Sequence, residues 1–463
     1  LELMADIVLR PSFPADELEL TKQNALQNLI AQRGQPSFLA NEQLARVIYG
    51  EHPYSVVSAT PESINAISQA ELVEFHRRRF VPNNAVLIVG GDIRRDETLA
   101  RLEEFFGAWQ PGESAGSSFP APPERTKRTL YLVDRPGSAQ SNIVIANLAI
   151  TRTDPDYFPM LVMHTVLGAN ASSRIFMNLR EDKGYTYGAY TSLDARRTAG
   201  SFRATAEVRT PVTGESLKEF FYELERIRED LVTEKELQDA KSYLTGIFPI
   251  RLETLDGLID QLIQIKMHEL PADYLHTYRD RINAVTREEV LRVARQYVTP
   301  DRAAIVIVGD ADALTDEVKA YADEIEIYDS TGQRKADAPP VSAETTQNGR
   351  DMSSTTPAGD NSGFVGSWQL EITSPLGPQT ATLLVDEDGG ALRGKLSSTW
   401  GEAPLDTLTV NEGIFHAAVA LKIQGMAIQA NIEGRREGNN LSGTIRTNMP
   451  IVPPLMFTGR KSV

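Results

Sequence analysis

Few side chains in this sequence have the type and spacing that chemistry requires. Six histidines occur, His52, His76, His164, His268, His276 and His416, and none lies three or four residues from another. Neither H-E-x-x-H nor the inverted H-x-x-E-H is present, so no two imidazoles share a helix face to hold zinc. His76 and His164 read as ordinary helix residues. There is no cysteine, which removes thiolate metal sites, thiol nucleophiles and disulfides together. Gly112-Glu-Ser114-Ala-Gly116 matches G-x-S-x-G, but that motif works only on a sharp strand-to-helix turn. Here it follows a helix and sits among prolines and serines, which makes Ser114 a poor nucleophile candidate. Asp386-Glu-Asp388-Gly389 has the start of a calcium loop without its closing Glu, and a hairpin turn is the simpler reading.

The most specific stretch is Ala171–Thr191, ASSRIFMNLREDKGYTYGAYT. Ser172 or Ser173 is placed to cap a helix that runs to about Arg180. Gly184 is placed to stop it. The chain then alternates as a strand through Tyr185, Tyr187 and Tyr190. An arginine at a helix end and a tyrosine on the next strand can converge on a peptide carbonyl. Equally, Arg180 can cap the last helix carbonyls while Tyr187 packs. Residue types alone leave both readings open.

The elements that position this stretch are set by an internal repeat. Ile64–Asp92, INAISQAELVEFHRRRFVPNNAVLIVGGD, matches Ile282–Asp310, INAVTREEVLRVARQYVTPDRAAIVIVGD, at an offset of 218 without a gap. Each copy opens with a capping box, Ser68 with Glu71 or Thr286 with Glu289. A helix follows, Pro82 or Pro300 ends it, and an apolar strand runs into Gly-Asp. Thr233 and Glu236 form a third such box, and Phe13–Glu17 opens the corresponding helix near the start. At this offset the first copy lacks a counterpart of roughly residues 127–218, so a first domain truncated at its front is expected.

Punctuation sets the expected domains: 1–109, a linker at 110–126, 127–329, a flexible linker at 330–363, and 364–463. Both linkers are rich in Pro, Gly and Ser and poor in bulky apolar residues. The last segment reads as short strands, Trp368–Thr373, Ala381–Val385, Leu392–Ser397, Ile414–Ile423, Met426–Glu433 and Leu441–Thr447. Asp388-Gly389, Gln424-Gly425 and Gly438-Asn439-Asn440 are its turns. A small antiparallel barrel or sandwich is expected, with Trp368 and Trp400 as core residues before binding aromatics.

Composition bounds the partners. The 463 residues carry a net charge of −16, of which only −1 lies from Phe364 onward. Such a chain is a poor binder of a phosphate backbone. The longest apolar runs, such as Ala303–Gly309, are far below the roughly 18 residues that span a bilayer.

Ser173-Arg174-Ile175-Phe176-Met177-Asn178-Leu179-Arg180-Glu181, with Gly184 and Tyr187, resembles the second-domain signature of the pitrilysin/insulinase family of inverted-motif zinc metallopeptidases. Leu44–Tyr54, LARVIYGEHPY, is also typical of that family. The resemblance covers about residues 1–328. It implies duplicated α/β metallopeptidase-like domains, two α+β sandwiches around a peptide-holding chamber, with the β-domain outside it. It implies that Arg180 and Tyr187 bind the substrate backbone near the scissile bond. It places the zinc-ligating Glu on the helix Leu18–Gln32, at a position occupied here by Asn28, and an amide is a poor substitute for a carboxylate on zinc. The implied protein is a substrate-binding half with no catalytic or metal residue of its own. It would be inactive alone, with zinc and H-x-x-E-H in a partner half or subunit, and unfolded peptides as substrate. A noncatalytic assembly protein on the same fold is the second implied reading. The resemblance also suggests an extracytoplasmic, periplasmic location, since bacterial relatives are often exported.

Overall fold

The computed structural model describes residues 1–113, 118–335, 364–374, 377–388, 391–398, 401–411, 414–423, 426–447 and 455–461. The chain divides into two compact units, Leu1–Thr346 and Gln347–Val463. Ser114, Gly389, Trp400 and Gln424-Gly425 lie outside the described residues, as does most of the stretch read as the linker 330–363.

The first unit opens with helices α1 (Glu2–Leu9), α2 (Ala15–Arg33), α3 (Pro36–Tyr49), α4 (Pro61–Ala66), α5 (Gln69–Arg79) and α6 (Arg95–Phe106). Strands β1 (Thr129–Asp134) and β2 (Gln140–Ala149) follow, then α7 (Tyr157–Leu167), the single turn α8 (Arg174–Phe176), β3 (Thr186–Asp194) and β4 (Gly200–Arg209). The unit continues through α9 (Thr213–Glu229), α10 (Glu234–Leu252), α11 (Leu255–Met267), α12 (Tyr274–Ala284), α13 (Arg287–Tyr297), β5 (Ala304–Gly309), α14 (Ala311–Val318) and β6 (Glu324–Tyr328).

The repeat is visible in the backbone. Helices α5 and α13 start at 69 and 287 and end at 79 and 297, so both ends lie 218 residues apart. Ser68 and Thr286 close their capping boxes with Glu71 and Glu289, and Thr233 does so with Glu236. Pro82 and Pro300 each begin a 3-10 turn just past the helix. Even a tertiary hydrogen bond recurs. Lys22 Nζ donates to the Asn65 carbonyl at 3.3 Å, and Lys241 Nζ to the Asn283 carbonyl at 2.8 Å.

The two copies then part. In the second, the apolar run becomes β5, the interior of a six-stranded sheet ordered β3-β4-β2-β5-β1-β6. β5 pairs in parallel with β1 and antiparallel with β2. In the first copy, the strand expected over Ala85–Gly90 does not form. No ladder partner lies beside it among the described residues, and Val86, Leu87 and Val89 stay exposed. A strand is stable only when its N–H and C=O groups pair. The same local sequence therefore gives a strand where neighbours exist and an extended segment where they do not.

The sheet is covered on both faces. Leu130, Leu132, Ile143, Ile145, Ile305 and Ile307 face a core shared with α7, α9, α10 and α13. The alternate residues Tyr131, Val133, Val144, Ala146, Val306 and Val308 face α3, through its Leu39, Leu44, Ile48 and Tyr49. This is the period-2 alternation of a strand, with both faces apolar. Arg203 Nη1 of β4 donates to Asn41 Oδ1 of α3 at 2.9 Å, fixing α3 along the sheet.

The second unit is a closed barrel of eight strands: β7 (Gly366–Ser374), β8 (Gly377–Asp388), β9 (Ala391–Ser398), β10 (Gly401–Asn411), β11 (Ile414–Ile423), β12 (Met426–Glu437), β13 (Asn440–Thr447) and β14 (Leu455–Lys461). Each pairs antiparallel with the next, and β14 closes on β7. The barrel, one of the two expected architectures, is the one formed. Two strands, β10 and β14, were not foreseen. β10 carries Pro404, which weakens its strand signal, and β14 (LMFTGRK) is short and ends basic. The interior is filled by alternate residues, including Trp368, Leu370, Ile372, Phe415, Ile432 and Phe457. Gly434 faces the rings of Phe415 and Phe457, where any Cβ would collide at 2.3 Å. Trp368 is a core residue, and its indole donates to the Phe364 carbonyl at 2.9 Å.

Two ionisable groups tie the first unit together. Arg174 of α8 is buried and donates to both oxygens of Glu236, at 2.7 and 3.0 Å. Glu236 is also the acidic member of the α10 capping box. Burial opposes its charge, but hydrogen bonds from Arg174 and Thr233 outweigh that and hold the carboxyl at about 2. In Arg174→Met we expect a loss of about 2–3 kcal/mol in denaturant titrations, below the cost for a fully buried pair because Glu236 keeps some solvent contact. The second group is His164 of α7, whose Nδ1 meets Thr191 Oγ1 at 2.7 Å. Burial lowers its pKa to about 4, from an ordinary 6.5. The unfolded chain thus takes up this proton first, so stability falls as pH drops from about 6.5 to about 4, and not above that window. We expect His164→Gln to shrink the fall by up to about 3 kcal/mol, read from denaturant midpoints across that range.

Candidate functional site

The stretch Ser173–Thr191 holds two departures from regular backbone, one beside each residue singled out from sequence. Ser173 stands at the N-cap of α8, but its hydroxyl donates back to the Asn170 carbonyl at 2.5 Å and makes no cap bond. After one turn the helix widens into a π-helical segment, Met177–Asp182, with Lys183 N–H bonded to the Asn178 carbonyl at 3.0 Å. Gly184 adopts φ +64°, and the Tyr185 N–H returns to the Leu179 carbonyl at 3.0 Å. The Gly184 N–H also bonds to the Arg180 carbonyl at 3.1 Å, and with the left-handed glycine this makes an αL stop, the terminator expected at Gly184. A π-turn shifts the residues after it around the helix axis, and such turns concentrate at functional sites.

Arg180 lies in this π-turn. Its guanidinium carbon sits 4.9 Å from the centroid of the Phe176 ring, and its Nε is 3.4 Å from a Glu181 carboxylate oxygen. The Phe176 ring in turn contacts that of Tyr190, at 5.4 Å between centroids. Arg180 is thus stacked on an aromatic shelf, with its outer face in solvent. Phe176 and Tyr190 are contributors that the sequence reading missed, although the i, i+4 spacing of Phe176 and Arg180 was there to be seen.

Tyr187 lies on β3 at a bulge. The ladder pairs Thr186 with Val208 and Ala189 with Ala206, so Tyr187 and Gly188 stand opposite Glu207 alone. The Thr186 hydroxyl fixes the bulge. It donates to the Glu207 carbonyl at 2.6 Å and accepts from the Gly188 N–H at 3.1 Å. A Cβ on Gly188 would lie 2.7 Å from the Tyr190 ring, so the glycine lets that ring lie close. Tyr187 itself is 90% exposed, which excludes the reading that it packs. Bulges re-aim side chains, and this one turns a phenol wholly into solvent. β3 is also the edge strand, with β4 on one side and, among the described residues, no strand on the other. No hydrogen bond joins Arg180 to Tyr187 among the described residues. They flank the Gly184 turn on either side.

The other candidates fall elsewhere. Asn28 is exposed on α2. His52 is buried and used twice, with Nε2 3.1 Å from Thr198 Oγ1 and Nδ1 accepting from the Tyr54 N–H at 3.1 Å. His76 Nε2 faces the Val8 carbonyl at 2.7 Å. Among the described residues no three His, Cys, Asp or Glu side chains converge as a metal site. The segment Leu44–Tyr54 is the C-terminal half of α3 and the turn after it. There Arg196 lies over the rings of Tyr54 at 4.7 Å and Tyr49 at 5.5 Å.

Comparison with known proteins finds relatives of the first unit. Residues 66–244 match the family model described as the peptidase M16 inactive domain. An uncharacterised zinc protease of Mycobacterium tuberculosis is 27% identical over 313 residues, 66% of this chain and 70% of that protein. A non-peptidase homologue, YmxG of Helicobacter pylori, is 23% identical over 290 residues, 62% of this chain and 66% of that protein. The crystal structure of a peptidase M16 inactive domain from Pseudomonas fluorescens superimposes with a TM-score of 0.62 at 28% identity, covering 66% of this chain and 73% of that one. Over residues 66–244 the chain is thus similar to the peptidase M16 inactive domain, and this similarity supports a noncatalytic M16 half.

Proposed function

We propose that this noncatalytic half binds the backbone of an extended, unfolded peptide through Arg180 and Tyr187, and presents it to a partner half or subunit that carries zinc on an H-x-x-E-H helix. The observation that carries this reading is the wholly exposed Tyr187 on a bulged edge strand, beside the stacked Arg180. A guanidinium and a phenol are donors that suit a peptide carbonyl. The open side of β3 offers backbone groups to a strand laid along it. The chain's contribution is orientation, and the attacking water belongs to the partner. Its acidic balance favours basic peptides. The second reading, an assembly protein on the same fold, is favoured by the relative that is named a non-peptidase homologue.

The two readings differ in their need for these side chains. With a fluorescent, unstructured, basic peptide of about fifteen residues, fluorescence anisotropy should show saturable binding at low salt, unchanged by a chelator. Arg180→Ala and Tyr187→Phe should each weaken it by roughly five- to tenfold, the worth of one good hydrogen bond. Absence of binding, or binding indifferent to both substitutions, would favour the assembly reading. Stoichiometric zinc in the purified chain, with chelator-sensitive cleavage of the peptide, would sink the noncatalytic role.

A further inference from the structure

A cleft lined by neither Arg180 nor Tyr187 opens beside the same helical segment. Here α8 and the π-turn face the first turns of α9's second half and the start of α10 across an open cleft of about 650 Å³. That is within the usual range for a small-molecule site, roughly 300–1,000 Å³. Two of its lining residues are more than nine-tenths buried and carry unused polar atoms. Arg174 spends Nε and Nη2 on Glu236, and its Nη1 has no partner. Asn178 directs Nδ2 to Glu219 at 3.1 Å and Glu223 at 3.0 Å, which fixes the amide's orientation and leaves Oδ1 unpartnered. Buried polar groups seldom go unsatisfied, and an unmade bond there costs roughly 1–3 kcal/mol.

The unused atoms differ in kind. Arg174 Nη1 is a cationic donor, and Asn178 Oδ1, one helical turn on, is an acceptor. The rim repeats the pattern. Lys218 and Asp182 both line the cleft, and neither makes an ion pair among the described residues. Five carboxylates face four cationic side chains around it, so a polyanion such as a phosphate ester is disfavoured. A simple cation is disfavoured by the inward guanidinium. The occupant must carry an anionic acceptor and a cationic donor close together. The zwitterionic head of an amino acid or short peptide does so. Val166, Met177 and Ala240 add an apolar wall for its side chain.

We propose that this cleft is a binding site for a free amino acid or short peptide, with the carboxylate held by Lys218 and the ammonium by Asp182 at the rim, above the unpartnered Arg174 Nη1 and Asn178 Oδ1. The site is separate from Arg180 and Tyr187 and does not depend on their role. The test is calorimetric titration of the full chain with L-alanyl-L-leucine, N-acetyl-L-alanyl-L-leucine amide and inorganic phosphate. The free dipeptide should bind at one site, with the capped analogue and phosphate at least tenfold weaker. Lys218→Ala and Asp182→Asn, both at exposed positions, should each weaken the dipeptide at least fivefold while circular dichroism is unchanged. Arg180→Ala should leave its affinity intact, which separates this cleft from the peptide-contact site. No heat of binding up to about 10 mM dipeptide would overturn the assignment. So would equal affinity for the capped analogue, tighter binding of phosphate, or indifference to both rim substitutions.

Discussion

Strand β5 is the constraint on which the first unit depends. Its six residues, AIVIVG, are all buried. It hydrogen-bonds to β1 on one side and β2 on the other, and its side chains alternate between two cores. Each fully buried Ile or Val contributes roughly 1.5–3 kcal/mol relative to exposure. A strand buried on both faces and both edges has no alternative register that keeps water out. β1 and β2 are held in place by it, β4 and β3 follow from β2, and α3 has one apolar surface on which to lie.

The irregular stretch around Arg180 and Tyr187 is tolerable because its base is rigid. Ile175 and Leu179, on the inner side of the turn, are completely buried, as is Ala189 just beyond the bulge. The Arg174–Glu236 pair anchors the start of the segment to α10, and the left-handed glycine stop at Gly184 anchors its end. A π-turn and a β-bulge each cost regular hydrogen bonds, and both persist only where surrounding packing decides the backbone. The result is a short, exposed, well-supported shelf, which is the kind of surface the proposed peptide contact needs.

The barrel solves a different problem. A sheet of this size with free edges would offer unpaired backbone to other chains, and closure of β14 on β7 leaves no edge. With eight strands the interior has room for side chains, and Trp368, Phe415 and Phe457 take it, with Gly434 making space for two of the rings.

Much of the architecture was legible because it rests on local chemistry. The capping boxes at Ser68, Thr233 and Thr286, the prolines past α5 and α13, and the glycine stop at Gly184 are satisfied within a few residues, so sequence alone specified them. The repeat was legible for the same reason. The alternation in β3 was legible, but the bulge that frees Tyr187 was not, because it depends on the register between β3 and β4. The barrel's strands were seen where alternation was clean, and β10 and β14 were missed where a proline or a basic end blurred it. Closure is a property of all eight strands together. The clearest limit is the pair AVLIVGGD and AAIVIVGD. Sequence determined that each is an apolar run after a capped helix, a proline and a tight turn. Only the tertiary structure decided that one is the buried centre of a sheet and the other an exposed extended segment, because a strand's backbone groups are satisfied by neighbours that its own residues do not encode.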